Sequence, residues 1–152
     1  MNFHPLGTDT KIPYPIGCNM AQTLHVIKHM AETFRKVYPE PEKKTFAFLM
    51  RGASGNVTAG ILASFLPEYH IQLYPVRKPH ESSHCGRGPL LPDRDATVVI
   101  VDDFMASGET INAIKEQYLN YKVDTLILSG DVACSRFEFT PNNLIAAGLV
   151  EE

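Results

Sequence analysis

The run Ala96 to Val101, Ala-Thr-Val-Val-Ile-Val, turns no polar face to water on either side of a strand. A half-exposed strand alternates apolar and polar residues. A run that is apolar on both sides must be covered on both, as in a parallel sheet sandwiched by helices. Thr45 to Met50, Tyr69 to Val76 and Val123 to Leu128 have the length of strands and are rich in apolar residues. Helical spacing appears between these runs. Asn19 can cap a helix with apolar positions Met20, Leu24, Ile27, Ala31, Phe34 and Tyr38, which Pro39 and Pro41 then end. Asn56 to Leu66, stopped by Pro67, reads as a second helix, and Gly108 to Leu119, with Ile111, Ile114 and Tyr118 on one face, as a third. Arg51 to Gly55 reads as a small-residue turn. The alternation predicts an α/β fold: a doubly wound, mainly parallel sheet with helices on both faces, in one domain spanning residues 1–152.

The flanks are less regular. Residues 1–17 are rich in Pro and Gly and read as an irregular arm. Residues 78–95 are polar with three prolines and two glycines, which predicts a mobile loop. After Gly130 a short strand is expected near Phe137 to Phe139, and another short element at Leu144 to Val150.

Bulk properties narrow the function. With 44% apolar residues, 20% charged residues and a formal charge of -3, the chain suits a globular domain and has no basic excess for a nucleic-acid backbone. Cys18, Cys85 and Cys134 are odd in number and form no CxxC pair, so reduced thiols in a cytoplasmic protein are expected. His80, His84 and Cys85 cluster in the predicted loop but lack a fourth zinc ligand. The opening residues lack a signal-peptide core, and the apolar runs are too short to cross a membrane.

The densest chemistry follows the third strand, in Val98 to Thr110, Val-Val-Ile-Val-Asp-Asp-Phe-Met-Ala-Ser-Gly-Glu-Thr. A buried strand delivers Asp102 and Asp103 to its C-terminal edge, where open α/β sheets bind ligands. Adjacent carboxylates repel each other and are costly to bury unless donors satisfy them, and sugar hydroxyls are such donors. Ala106, Ser107, Gly108, Glu109 and Thr110 then turn into a helix. Small residues there let backbone N–H groups converge on an anion, and Ser107 and Thr110 add hydroxyls. Carboxylates for a diol followed by a phosphate nest suit a ribose phosphate. A receiver-like domain also ends a strand in Asp, but it needs acidic and lysine partners at other strand ends that are not evident here.

This stretch resembles the phosphoribosyl-pyrophosphate signature of the type I phosphoribosyltransferases: an apolar strand, two acids, two apolar residues, then a small Thr/Ser/Gly-rich loop. Glu109 stands where that family often has Gly or Lys, and beside a phosphate it is expected to point outward. The resemblance extends over roughly residues 45–130. Arg51, Gly52, Ala53 and Ser54 resemble the family's pyrophosphate loop, and Val76, Arg77 and Lys78, with His80 to Gly88, resemble its hinge and flexible catalytic loop. Orotate-type members carry a further lysine there. Here Glu81 and Arg87 are the nearest charges, a departure that points away from orotate. Some members have an acid where Ala106 stands; adenine-type members, like this chain, do not. A base-binding hood would come from the residue 1–17 arm or from the tail around Phe137 and Phe139.

By that resemblance the chain is expected to transfer phosphoribose from phosphoribosyl pyrophosphate to a nucleobase, releasing pyrophosphate, as a homodimer with Mg²⁺. Asp102, Asp103 and Arg51 would be catalytic. Gly52, Ala53, Ser54, Lys78, Ala106, Ser107, Gly108, Glu109 and Thr110 would bind substrate. The Mg²⁺ would ride on the pyrophosphate, with Asp102 and Asp103 as candidate protein ligands. The alternative is a non-catalytic regulator of the same fold that binds phosphoribosyl pyrophosphate or a nucleotide.

Overall fold

The computed structural model describes residues 1–7, 19–76, 91–103, 108–148 and 150. Among these lie six strands, β1 (Asn2–Pro5), β2 (Thr45–Met50), β3 (His70–Pro75), β4 (Thr97–Asp102), β5 (Val123–Leu128) and β6 (Asn143–Ala146). They are joined by three α-helices, α1 (Met20–Val37), α2 (Gly52–Ser64) and α3 (Glu109–Gln117). The strands form one sheet in the order β1-β6-β5-β4-β2-β3, and every neighbouring pair is parallel. The chain steps from β2 outward to β3, returns to the other flank of β2 as β4, and then moves away through β5 and β6. This doubly wound α/β sheet is the one that the apolar strands predict.

Both faces are covered. On one, α1 and α2 bury Ile27, Met30, Phe34 and Leu62 against Phe46, Phe48, Val99, Val101, Ile127 and Ile145. On the other, Ile111, Ile114 and Tyr118 of the α3 segment pack on Leu49, Val98, Ile100, Leu126, Leu128 and Leu144. Val98 to Val101 of β4 alternate between the two clusters, so each of these four side chains meets an apolar layer. No described helix is long and apolar enough to cross a membrane.

Helix α1 begins as its sequence dictates, with the Asn19 side chain accepting the Gln22 N–H at 3.2 Å. Its buried stripe is shifted from the expected one. Ile27, Ala31, Phe34 and Tyr38 are buried, together with Val26 and Met30, but Met20 and Leu24 remain exposed. The described core begins one turn into the helix.

Four expectations are corrected. Helix α2 starts at Gly52, so Gly52 to Gly55 form its first turn rather than a separate turn before a helix at Asn56. Gly52 at φ +80 makes the sharp break out of β2, and the Asn56 side chain donates back to the Gly52 carbonyl. The N-terminal arm contains a strand, β1, in parallel register with β6 (Phe3 opposite Leu144). Its partner lies at the other end of the chain, and Pro5 is tolerated because β1 is an edge. The tail strand is Asn143–Ala146, not Phe137 to Phe139. Those phenylalanines instead sit as a tilted pair, 5.4 Å between centroids, against the α3-side core. Finally, α3 ends at Gln117, with Tyr118 as its C-cap.

Phe34 is fully buried and meets Phe46, Phe48 and Tyr69 edge-on, with centroids 5.0 to 5.9 Å away. Phe34→Ala is expected to cost about 3–5 kcal/mol of folding free energy through lost transfer and a cavity. Urea denaturation checks this. A loss below about 1 kcal/mol would show that α1 is not anchored through this ring.

Candidate functional site

Strands β2 and β4 are neighbours, yet the chain leaves them in opposite directions across the sheet. Their following segments diverge and open a crevice at the C-terminal edge, the place where such sheets hold ligands. Arg51, Asp102 and Asp103 all belong to that edge.

Asp102 is the last residue of β4 and only 6% exposed. Its Oδ1 accepts the Asp103 backbone N–H at 2.9 Å. The first turn of α2 lies directly over it: a methyl group at Gly55 would sit 3.5 Å from Oδ1 and 3.6 Å from the Val101 carbonyl. Burial pushes the Asp102 carboxyl up to about 7; the Asp103 N–H opposes the rise, and the neighbouring Asp103 carboxylate adds to it. Asp103 is half-buried, and its carbonyl accepts the Gly130 N–H at 2.6 Å and the Ser129 hydroxyl at 3.2 Å. The two acids are therefore held differently, one under a helix and one by its backbone to the end of β5.

Arg51 follows β2 in extended backbone and is half-buried. Its Nε is buried and meets no hydrogen-bond partner among the described residues. A buried charged donor left this way is costly, and an incoming acceptor would relieve it. Arg51 and Gly52 face Glu109, Thr110 and Ala113 across a cavity of about 480 Å³. Glu109 is exposed but borders the same cavity as Arg51. A larger hollow of about 820 Å³ lies at the far end of β4, lined by Arg94, Ala96, Tyr118 and Tyr121, and contains none of these acids. The smaller cavity is the candidate site because Arg51 and Glu109 line it at the sheet edge where β4 ends in Asp102 and Asp103, although neither of those acids lines it.

Gly108 caps α3 in the left-handed region at φ +82, and as a glycine it has no side chain to offer the first N–H groups of the helix. A β-carbon there would also approach the Arg136 carbonyl group at 3.2 Å. Arg136 is held in turn by Asn112, whose side-chain amide donates to the Arg136 carbonyl at 3.1 Å and accepts the Glu138 N–H at 2.7 Å. The tail is thus stapled to the start of α3. The motif did not point to Asn112 or Arg136. The one available signal was an Asn inside a short helix, where that residue is a poor helix former.

The structure brings together Arg51, Gly52, Glu109 and Thr110 around the cavity, with Asp102 and Asp103 at the adjoining strand end. Ala53 is exposed and Ser54 half-buried in the first turn of α2, where the Ser54 carbonyl accepts the Thr58 hydroxyl. Lys78, Ala106 and Ser107 lie outside the described residues, as do Arg77, His80, His84, Cys85 and most of the expected mobile loop.

No family model matches the sequence, and no curated protein is significantly similar to it. Solved structures do share its fold. A purine phosphoribosyltransferase from Pyrococcus horikoshii matches with a TM-score of 0.54 at 19% identity, over 83% of this chain and 84% of that one. The hypoxanthine phosphoribosyltransferase of Trypanosoma cruzi matches at 0.53 and 16% identity, over 93% and 82%. A protein of Neisseria gonorrhoeae with bound ppGpp matches at 0.61 and 18% identity, over 95% and 86%. The chain has the doubly wound α/β fold of the type I phosphoribosyltransferases.

Two outcomes follow from this geometry. A carboxyl whose folded pKa lies above its unfolded value favours folding in its protonated form. The stability it supports is present below about pH 4 and declines as pH rises toward about 7, where the buried group ionises. Asp102→Asn removes that ionisation, so its stability relative to the parent is expected to improve by a few kcal/mol between pH 4 and pH 8. Urea denaturation at both pH values tests this; a pH-independent difference would rule it out. Gly108→Ala is expected to destabilise by about 1–3 kcal/mol, from strained backbone and the close Arg136 contact. Thermal unfolding that matches the parent would contradict it.

Proposed function

We propose that the protein is a purine phosphoribosyltransferase, joining a purine base to phosphoribose from phosphoribosyl pyrophosphate and releasing pyrophosphate. The observation that carries this is the buried Arg51 Nε, which has no hydrogen-bond partner among the described residues, at the same sheet edge as Asp102 and Asp103. A fixed cation for a diphosphate beside two carboxylates for a diol matches the two ends of that donor. The shared fold supports the transferase over a non-catalytic binder, because neighbours with it are purine phosphoribosyltransferases. A neighbour holding ppGpp fits phosphorylated ribose on the same scaffold.

In the reaction the bond from the anomeric carbon to the pyrophosphate oxygen breaks, and a bond to a base nitrogen forms. Positive charge develops on the sugar and negative charge on the leaving group. Asp103, the more accessible acid, accepts hydroxyl hydrogen bonds from the ribose, while Asp102 orders the Asp103 backbone and supports it from below. Arg51 offers its Nε–H to the leaving pyrophosphate, with Gly52 to Ser54 at the start of α2 beside it. Gly108 to Thr110, with Ala106 and Ser107, receives the 5′-phosphate at the N-terminus of α3, where the first helical N–H groups have no intrahelical acceptor. Among the described residues no three His, Cys, Asp or Glu side chains converge. Asp102 and Asp103 would be the protein groups to hold a Mg²⁺ bound with the diphosphate, and the ion would supply charge neutralisation on the leaving group. A homodimer accompanies this reading.

The test is pyrophosphate release from phosphoribosyl pyrophosphate and Mg²⁺ over a panel of bases. Release is expected with at least one purine and not with orotate. Arg51→Ala and Asp103→Asn are each expected to lower kcat/KM by about 100-fold or more. No release with any purine, or full activity in both variants, would refute the assignment.

A further inference from the structure

We infer that the outer face of α1 carries a two-histidine site for a late first-row divalent cation, separate from the crevice. The segment His25-Val-Ile-Lys-His29 puts two imidazoles one turn apart on a single helix face. Val26, Ile27 and Met30 turn into the core, which leaves His25 exposed and His29 half-exposed. The ring centroids lie 4.7 Å apart with planes at 85°. Two imidazoles bound to one ion through metal–nitrogen bonds of about 2.0–2.1 Å have ring centres roughly 4.5–5.2 Å apart, from a square to a tetrahedral angle. The observed spacing falls in that range, and both rings lie at the helix surface, where they can turn a nitrogen each toward one ion.

Glu32 provides the second observation. Its Oε2 lies 3.4 Å from His29 Nδ1. A carboxylate on that side favours the proton on Nδ1 and leaves the Nε2 lone pair for a metal, the carboxylate–histidine–metal arrangement. Glu32 is thus a positioning residue. With two protein nitrogens, water completes the coordination sphere, and imidazole donors rank Cu²⁺ above Ni²⁺ and Zn²⁺.

The test is titration of the full-length chain with Cu²⁺ alone, read by calorimetry and electron paramagnetic resonance. The parent is expected to bind an ion with a two-nitrogen signature that disappears in the His25→Ala/His29→Ala double variant. Each single variant is expected to weaken that site about tenfold or more, and Glu32→Gln to weaken it severalfold. His80, His84 and Cys85 are present in every variant, so any binding they contribute cancels in the comparison. The substitutions are at the helix surface, and an unchanged circular dichroism spectrum verifies the fold. As an independent reading, Zn²⁺ is expected to raise the Tm of the parent more than that of the double variant. Equal Cu²⁺ stoichiometry and affinity in parent and double variant, or an equal Zn²⁺-induced Tm shift in both, would overturn the site.

Discussion

The parallel pairing of β2 with β4 is the contact on which the rest of the molecule depends. Phe46 lies opposite Thr97 and Leu49 opposite Ile100, in a register that aligns the ends of the two strands. Both strands are buried on both faces, so their backbone groups have only each other and their outer neighbours to bond. Helices cover the sheet above and below; α1 and α3 supply the cover from amphipathic stretches and α2 from small and apolar residues spread around the helix. The same pairing places the end of β2 beside the end of β4, and thus Arg51 near Asp102. Packing and the candidate site share one cause.

Local cost is concentrated at this edge. A buried carboxyl has its pKa raised to about 7, and a buried guanidinium nitrogen has no partner among the described residues. Each would be a defect in a protein optimised for stability alone. Such local inconsistencies are expected where a sequence serves a ligand.

The opposite end of the sheet provides the contrast. There Tyr38 donates to Asp124 and also meets the Thr125 hydroxyl, and Asn142 donates to the other Asp124 oxygen at 2.9 Å. Burial alone would raise the Asp124 pKa, but the hydrogen bonds from Tyr38, Asn142 and Thr125 outweigh it and hold the carboxylate low. The Tyr69 hydroxyl closes the group by donating to the Tyr38 carbonyl. Polar groups here satisfy one another, which makes this end a brace. The two ends of one sheet thus handle buried polarity in opposite ways.

Local pattern alone determined β2, β4 and β5, because burial on two faces leaves an unmistakable run of apolar residues; it also placed the more exposed edge strand β3 to within a residue at each end. It also determined the Asn19 cap, the paired acids at the end of β4 and the need for a small residue at Gly108, since these depend on near neighbours in the chain. Tertiary structure decided the remainder. The pairing of β1 with β6 joins residues about 140 positions apart, and nothing in Asn2 to Pro5 announces it. Helix α2 takes in Gly52 to Gly55, glycine-containing residues that read locally as a turn, because that turn packs on Val101 and Asp102. Asn112 acquires its role only when the tail folds back onto α3, and Asp102 becomes a buried acid only under α2. Sequence specifies which groups reach an edge. Only long-range packing specifies which of them are covered, and desolvation follows from that cover.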